Sequence, residues 1–284
     1  MDTTAFVNFV EARHSVAVAR AKGLPKPWTK DPILRSYRFC NVYREWDTVT
    51  RWVRGPWTDL NSDKPYDPDL WFAMVVARLI NWPDSLAYLG PVLPWNPARF
   101  RSRLEALQAR GGQVFGPAYI VSTNGKSIPK VQYLAEHVLT PIWERRKELR
   151  PQGDDTLASF HQRLTTCIGM GSFMAAQVVA DTKNTEVSPL AWAKDWATWA
   201  APGPGSLRGL NRILGKGPVR TGINASEFLV LVNVLRNDIN KRFKTTGWPR
   251  VCAQDTQNCL CEFDKYERVR LGEGAPKQRY PGAA

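Results

Sequence analysis

Between Cys167 and Asp181 the chain reads CIGMGSFMAAQVVAD, a run of helix formers broken by Gly169 and Gly171 that resumes at Ser172 and Phe173. Glycine costs about 1 kcal/mol relative to alanine inside a helix, so this pair predicts a tight turn between two helices, with backbone brought close to a neighbour. The rest of the sequence has the same grammar. Helical patterns alternate with proline-rich connectors, without a strand–helix alternation or an internal repeat. The predicted fold class is therefore all-α.

Apolar periodicity places one helix over residues 4–21, closed by Gly23 and the stiff Leu24–Trp28 segment. From Asp31 and Pro32 a longer helix is predicted to run to about Val53. It would put Phe39, Val42, Tyr43, Trp46, Val49 and Val53 on an apolar side and Asn41, Arg44, Asp47, Thr48 and Arg51 on a polar one. Further helices are predicted over 69–81, 97–110, 128–150, 154–166, 172–182, 206–214, 225–243 and 258–269. The stretch GQVFGPAYIVSTNG, residues 112–125, is rich in β-branched and aromatic residues and holds Asn124-Gly125, which suggests a short β-hairpin or an extended loop. Residues 1–272 read as a single helical domain, and the Gly-, Pro- and Lys-containing stretch 273–284 as a loose tail.

The chain of 284 residues carries a formal net charge of +13 and a pI near 9.7, which makes an anionic polymer the leading class of partner. Much of the excess is local. Residues 206–250 hold Arg208, Arg212, Lys216, Arg220, Arg236, Lys241, Arg242, Lys244 and Arg250 against only Glu227 and Asp238. No apolar run approaches the roughly 20 residues of a membrane span, and the N-terminus lacks the basic-then-apolar order of an export signal, so the cytoplasm is expected. Five scattered cysteines do not make a disulfide framework. Cys252 and Cys259 are spaced as in some iron–sulfur loops, but Cys261 follows too soon and no fourth cysteine comes after it. His14, His137 and His161 form no zinc signature, and no metal is expected. No P-loop, dinucleotide-binding glycine pattern or Ser-His-Asp set is evident.

The order of helix, Ile168-Gly169-Met170-Gly171, then apolar helix is that of a helix-hairpin-helix. Glycines let backbone N–H groups face a phosphate, and the next helix aims its positive end at the same group. On this reading Gly169, Gly171 and Ser172 contact DNA. No cofactor is required, and a monovalent cation at the turn is compatible with the pattern. A tight turn with no ligand is the plainer alternative. Pro202-Gly203-Pro204-Gly205 with Ser206 and Arg208 offers a second helix start beside basic residues, and is equally readable as a rigid turn.

At Lys194-Asp195-Trp196 the chain resembles the helix-hairpin-helix DNA glycosylases, which keep a catalytic aspartate some twenty residues past the glycine turn. Phe173 stands where their lyase members carry a lysine, so the resemblance does not imply strand cleavage. Asp195 is accordingly a candidate general base, or the cap of a short helix starting at Trp196.

Three longer segments, RFCNVYREWDTVTRW (38–52), DWATWAAPGPGSLRGLNRILG (195–215) and CLCEFDKYERVR (259–270), together resemble the bacteriophage amino acid:DNA transferases first described as α-glutamyl/putrescinyl thymine pyrophosphorylases. That resemblance implies a phage protein in the cytoplasm of an infected bacterium. Its substrate would be double-stranded DNA in which a kinase has phosphorylated or pyrophosphorylated 5-hydroxymethyluracil. A free amino acid such as glycine would displace the phosphate from a flipped base. Asp195 and Asp47 are the candidate catalytic acids. Arg38, Asn41, Arg44, Arg208 and Lys265 are candidates for the leaving phosphate, because negative charge builds there as the carbon–oxygen bond breaks. Gly169, Gly171, Ser172, Gly203, Gly205 and Ser206 are candidates for DNA. A glycosylase excising a modified base, or a catalytically silent reader of modified DNA, would use the same surface.

Overall fold

Helical periodicity and its punctuation account for most of the architecture, which a computed structural model describes for residues 1–62, 67–118, 122–185 and 188–280. In chain order the helices are α1 (Thr4–Ala21), α2 (Pro32–Ser36), α3 (Thr48–Trp52), α4 (Thr58–Asn61), α5 (Leu70–Ile80), α6 (Pro83–Leu89), α7 (Pro97–Ala109) and α8 (Lys130–Tyr133). They continue with α9 (Thr140–Glu144), α10 (Arg146–Leu149), α11 (Leu157–Thr165), α12 (Ser172–Lys183), α13 (Pro204–Ile213), α14 (Ala225–Thr246) and α15 (Ala253–Arg270). No strand occurs among the described residues; an isolated bridge pairs Tyr37 with Arg279.

The chain divides into two compact units. Unit 1 combines residues 1–47 with 197–284, and unit 2 is the intervening run 48–196. With 22 Lys and Arg against 12 Asp and Glu, unit 1 carries +10 of the +13, which gives it most of the anion-attracting surface.

In unit 1, α1 buries Phe6, Phe9, Val10 and Val16, and α14 buries Phe228, Val232, Leu235, Ile239 and Phe243, at the three- and four-residue steps of a single helical face. Asn224 starts α14 by accepting the Glu227 amide at 2.9 Å, and Gly247 ends it in the left-handed conformation. Leu210 of α13 and Leu260 and Phe263 of α15 complete the core. The tightest contact joins α13 to α15: a Cβ placed on Gly209 would lie 2.1 Å from the Leu260 carbonyl oxygen. His14 is buried at the edge of this core among the rings of Tyr43, Trp46, Phe243 and Trp248, the last 4.4 Å away centre to centre.

In unit 2 every residue of α5 is buried, including Arg78. Its guanidinium forms a two-point ion pair with the fully buried Asp181 of α12 and also donates to the Thr50 hydroxyl at 3.1 Å. Such a pair is tolerated in a core because each charge is met by its partner and by further hydrogen bonds. The helical ladder widens to π geometry at Val53–Trp57 and Leu134–Leu139. Proline explains both: Pro56 lies within the first, and Pro141 comes just after the second, so the amide that would close an ordinary turn is missing.

Two expectations need correction. The helix expected over 31–53 stops at Ser36; Asp31 caps it, and Tyr37–Tyr43 runs extended before a 3₁₀ turn at Arg44–Trp46. Backbone pairing with the C-terminal segment is the reason, through Arg38 N to Gln278 O at 3.1 Å and Tyr280 N to Ser36 O at 3.0 Å. By the same bonds the tail expected to be loose is anchored as far as Tyr280. Of the two alternatives for 112–125, hairpin or loop, the described part follows the loop, with Asn124 and Gly125 in a turn at positive φ; Tyr119, Ile120 and Val121 lie outside the described residues.

Two measurements check these contacts. Gly209→Ala would gain about 1 kcal/mol of helix propensity, yet the collision with Leu260 backbone should make it a net loss of about 2 kcal/mol or more by denaturant unfolding. Burial, with Arg13 adding a smaller push, lowers the His14 imidazole to about 4. A folded value below the unfolded 6.5 means that the unfolded chain binds the proton first. His14 therefore contributes stability in full above pH 6.5 and loses it as pH falls toward 4, at roughly 1.4 kcal/mol per unit. His14→Phe should flatten that part of a Tm-against-pH curve.

Candidate functional site

The glycine turn forms as predicted, between α11 and α12 in unit 2. Gly169 has φ +80°, a conformation that disfavours any side chain, and a Cβ there would press within 3.0 Å of the Val138 methyls. Gly171 is exposed at the start of α12, with open space where a side chain would sit, and Ser172 is exposed beside it. The first-turn amides of α12 point outward here, as at any helix N-terminus. His161 fastens the turn, its Nε2 lying 2.9 Å from the Ser172 carbonyl oxygen; burial lowers the His161 imidazole and the Ser172 contact opposes that. Ile168 and Phe173 flank the turn at 62 and 43% exposure, an apolar rim around polar backbone.

Asp195 also lies in unit 2, where it performs a different capping task from the one expected. Residues 194–198 form turns and no helix starts at Trp196. Instead the Asp195 carboxylate accepts the amides of Leu157 at 2.7 Å and Ala158 at 3.1 Å, closing the N-terminus of α11. A carboxylate at the positive end of a helix is favourably placed, and both oxygens are engaged. Thr156 and Ser159 form a reciprocal capping box at the same end.

The remaining candidates fall in unit 1, around α15. The segment 38–47, although not helical, brings several of them together. Asp47 accepts from both the backbone amide and the side-chain amide of Asn41, each at 3.1 Å, and the Arg44 amide donates to Asp255 of α15 at 3.1 Å. Burial raises the Asp47 carboxyl above its usual range, with the Asn41 bonds and the Arg44 and Arg13 charges opposing. Arg38 is exposed. The Cys40 amide donates to Glu262, which also accepts from Lys265 Nζ at 2.6 Å. Cys40 and Arg44 are thus tied through their amides to carboxylates of α15.

On another side of α15, Asp264 is fully buried and meets Arg208 at 2.8 Å and Arg212 at 2.9 Å, with Arg268 at 3.6 Å. Arg208 is therefore committed to a carboxylate, and its first task is to hold α13. Gly203, Gly205 and Ser206 are likewise part of this packing. The Ser206 side chain is buried and bonds the Gly203 amide at 3.0 Å, while a Cβ on Gly205 would come 3.0 Å from the Cys261 sulfur. The structure gives Gly203, Gly205 and Ser206 a packing role: α13 needs small residues there to approach α15. Among the described residues Cys252 and Cys259 are buried and in no disulfide, and no group of metal-ligating residues stands out.

Asp255 and Arg13 are not among the residues that the sequence singles out. Asp255 closes α15 by accepting the Cys252 amide at 3.0 Å. Arg13 occupies a core register of α1, between Val10 and Val16, and a charge in an apolar stripe was the available signal.

Among the described residues no helix is long and apolar enough to cross a membrane. No solved structure is recognisably similar to the chain. A 5-hmdU DNA kinase of Bacillus phage SP10 is 23% identical over 233 residues, covering 73% of this chain and 35% of the phage protein, so the chain spans about a third of that relative's length. The family model described as "5-hmdU DNA kinase, helical domain" matches residues 2–275, nearly end to end. The chain belongs to this family of 5-hmdU DNA kinase helical domains.

Proposed function

We propose that this chain acts on 5-hydroxymethyluracil in phage DNA after the base has been phosphorylated, exchanging the phosphate for an amino acid on the 5-methylene carbon. The observation that carries the reading is the gathering of Asn41, Arg44, Asp47 and Lys265 around α15, in the unit that holds most of the positive charge. The family match supports the substrate, and the motif resemblance supplies the transfer chemistry.

In this reaction the amine nitrogen bonds to the methylene carbon, the carbon–oxygen bond breaks, and phosphate leaves with the electron pair. Asp47 takes the ammonium proton that must be lost before attack. A carboxyl lifted by burial is better matched to that task than one in water, and Asn41 fixes its orientation. Arg44, Arg38 and Lys265 meet the charge that develops on the leaving group. Asp195 acts by positioning, since its oxygens are spent on α11. In unit 2 the exposed turn at Gly169–Phe173 contacts the DNA backbone, with the apolar Ile168 and Phe173 suited to lie against unstacked bases. The overall fold in this reading is helix-hairpin-helix and glycosylase-like, base flipping included.

A second reading comes from the relative's name: the chain is the helical part that presents DNA to a kinase acting on 5-hydroxymethyluracil. The sequence holds no phosphate-binding loop of the GxxxxGK[ST] type, so the catalytic nucleotide site would then come from another module.

Nucleoside mass spectrometry separates the readings. DNA carrying phosphorylated 5-hydroxymethyluracil, incubated with the protein and mixed amino acids, should yield a base heavier by an amino acid with phosphate released. Free base with an abasic site would mean a glycosylase, and unchanged DNA under all donors would favour the kinase-partner reading. Asp47→Asn should slow transfer about 100-fold or more while DNA affinity stays the same. Asp195→Ala should chiefly cost about 1–2 kcal/mol of stability by losing the α11 cap, with activity retained once folded protein is counted. DNA affinity itself should fall steeply with added salt, and a flat salt response would remove phosphate contacts from the account.

A further inference from the structure

Arg13 is the most anomalous charge in unit 1. Its residue is only 4% exposed, on a helix face otherwise given to Phe6, Phe9, Val10 and Val16. Of its three guanidinium nitrogens, only Nη2 has partners: the Cys259 sulfur at 2.9 Å and the Asn41 carbonyl oxygen at 3.5 Å. Nε and Nη1 are buried without a hydrogen-bond acceptor. Among the described residues no carboxylate lies within ion-pair distance of it. Nor is the sulfur a counter-charge, because burial pushes the Cys259 thiol up to about 11, with the nearby Arg13 opposing, and it stays neutral at physiological pH. A buried cation with unfilled donors is costly, and a bound ion is one of the few things that offsets that cost.

Arg13 also lines a recess between α1 and the extended segment 37–41, closed on one side by Leu34 and Tyr280. Its walls are Val16, Ala17 and Phe39, and its polar rim is Tyr37, Asn41 and Arg20. Arg20 donates to the Tyr280 hydroxyl at 3.3 Å, and Lys26 stands over the Tyr280 ring, which adds positive potential at the mouth. Among the described residues no acidic side chain lines the recess. Asp47 and Glu262 accept from the backbone amides of its lining residues Asn41 and Cys40, and Asp47 is near enough to feel the Arg13 charge.

We infer that this recess is a binding site for a small oxyanion, a carboxylate or a phosphate, with Arg13 as the charge that selects it. The recess is small, which suits a small anion, and the guanidinium among its lining residues supplies directional donors to an anionic oxygen. The inference does not depend on the transfer reaction, since it concerns binding by the protein alone, without DNA.

Isothermal titration of the full chain with inorganic phosphate and, separately, with glycine tests it. Wild-type protein should bind at least one of the two saturably and with 1:1 stoichiometry. Phosphate alone would identify a phosphoryl group as the natural source, and glycine alone a carboxylate. Arg13→Gln should weaken that binding at least tenfold. Ala17→Leu, which narrows the recess one helical turn from Arg13 and keeps the guanidinium, should weaken it similarly and decides the matter if Arg13→Gln fails to fold. Absence of saturable binding of both probes to the wild type, or equal binding to the folded variants, would overturn the proposal.

Discussion

The approach of α13 to α15 is the constraint on which unit 1 rests. Backbone against backbone at Gly209 and Leu260 leaves no space for a side chain, and Gly205 repeats the demand one turn earlier against Cys261. Close approach of this kind fixes the rotation of both helices, because only one register puts the glycines in line. That register in turn buries Asp264 beneath Arg208 and Arg212, and turns Asp255 and Glu262 toward the segment 38–47. An isolated buried carboxylate would be prohibitively costly. Three arginines around Asp264 make it a clamp instead, and removing both of the close ones, Arg208 and Arg212, would leave a buried carboxylate poorly matched.

Unit 2 solves the same problem with a different device. Its central helix is apolar all round except for Arg78, and the pairing of Arg78 with Asp181 sets where α12 crosses α5. Since α12 is also the second arm of the glycine turn, a buried ion pair in the core determines what the exposed turn presents. Asp195 and His161 secure the other arm. The turn is thus held from the core side, from the cap and from within, while its own tip stays exposed.

How much of this is legible in the sequence depends on the kind of interaction involved. Helices closed by local signals, such as α1 before Gly23, α7 after Asn96 and α14 from Asn224 to Gly247, are given by periodicity and capping. The segment after Ser36 is not, because its apolar spacing suits a helix while its hydrogen bonds go to Gln278 and Tyr280 at the far end of the chain. Local propensity cannot register a partner that distant. The same limit governs the site. Periodicity groups Asn41 with Asp47, and they do meet, though for a helical reason that does not hold. Gly203 and Gly205 lie where α13 packs on α15, a role that a sequence cannot distinguish from backbone approaching a ligand. Asp195 looks like the cap of a helix beginning at its neighbour Trp196, whereas it caps α11, which precedes it in the chain.

The division of the chain has a consequence for how it is made. Unit 2 is one uninterrupted run, 48–196, while unit 1 needs both flanking segments. At a synthesis rate of roughly 5–20 residues per second, α1 must wait on the order of ten seconds before α13–α15 exist to cover Phe6, Phe9 and Val10. During that interval unit 2 has its whole sequence available and unit 1 has not, so the order of assembly on the ribosome is written into the topology. The buried guanidinium of Arg13 then belongs to the unit that closes later, when its surroundings are sealed by residues translated some 200 or more positions downstream.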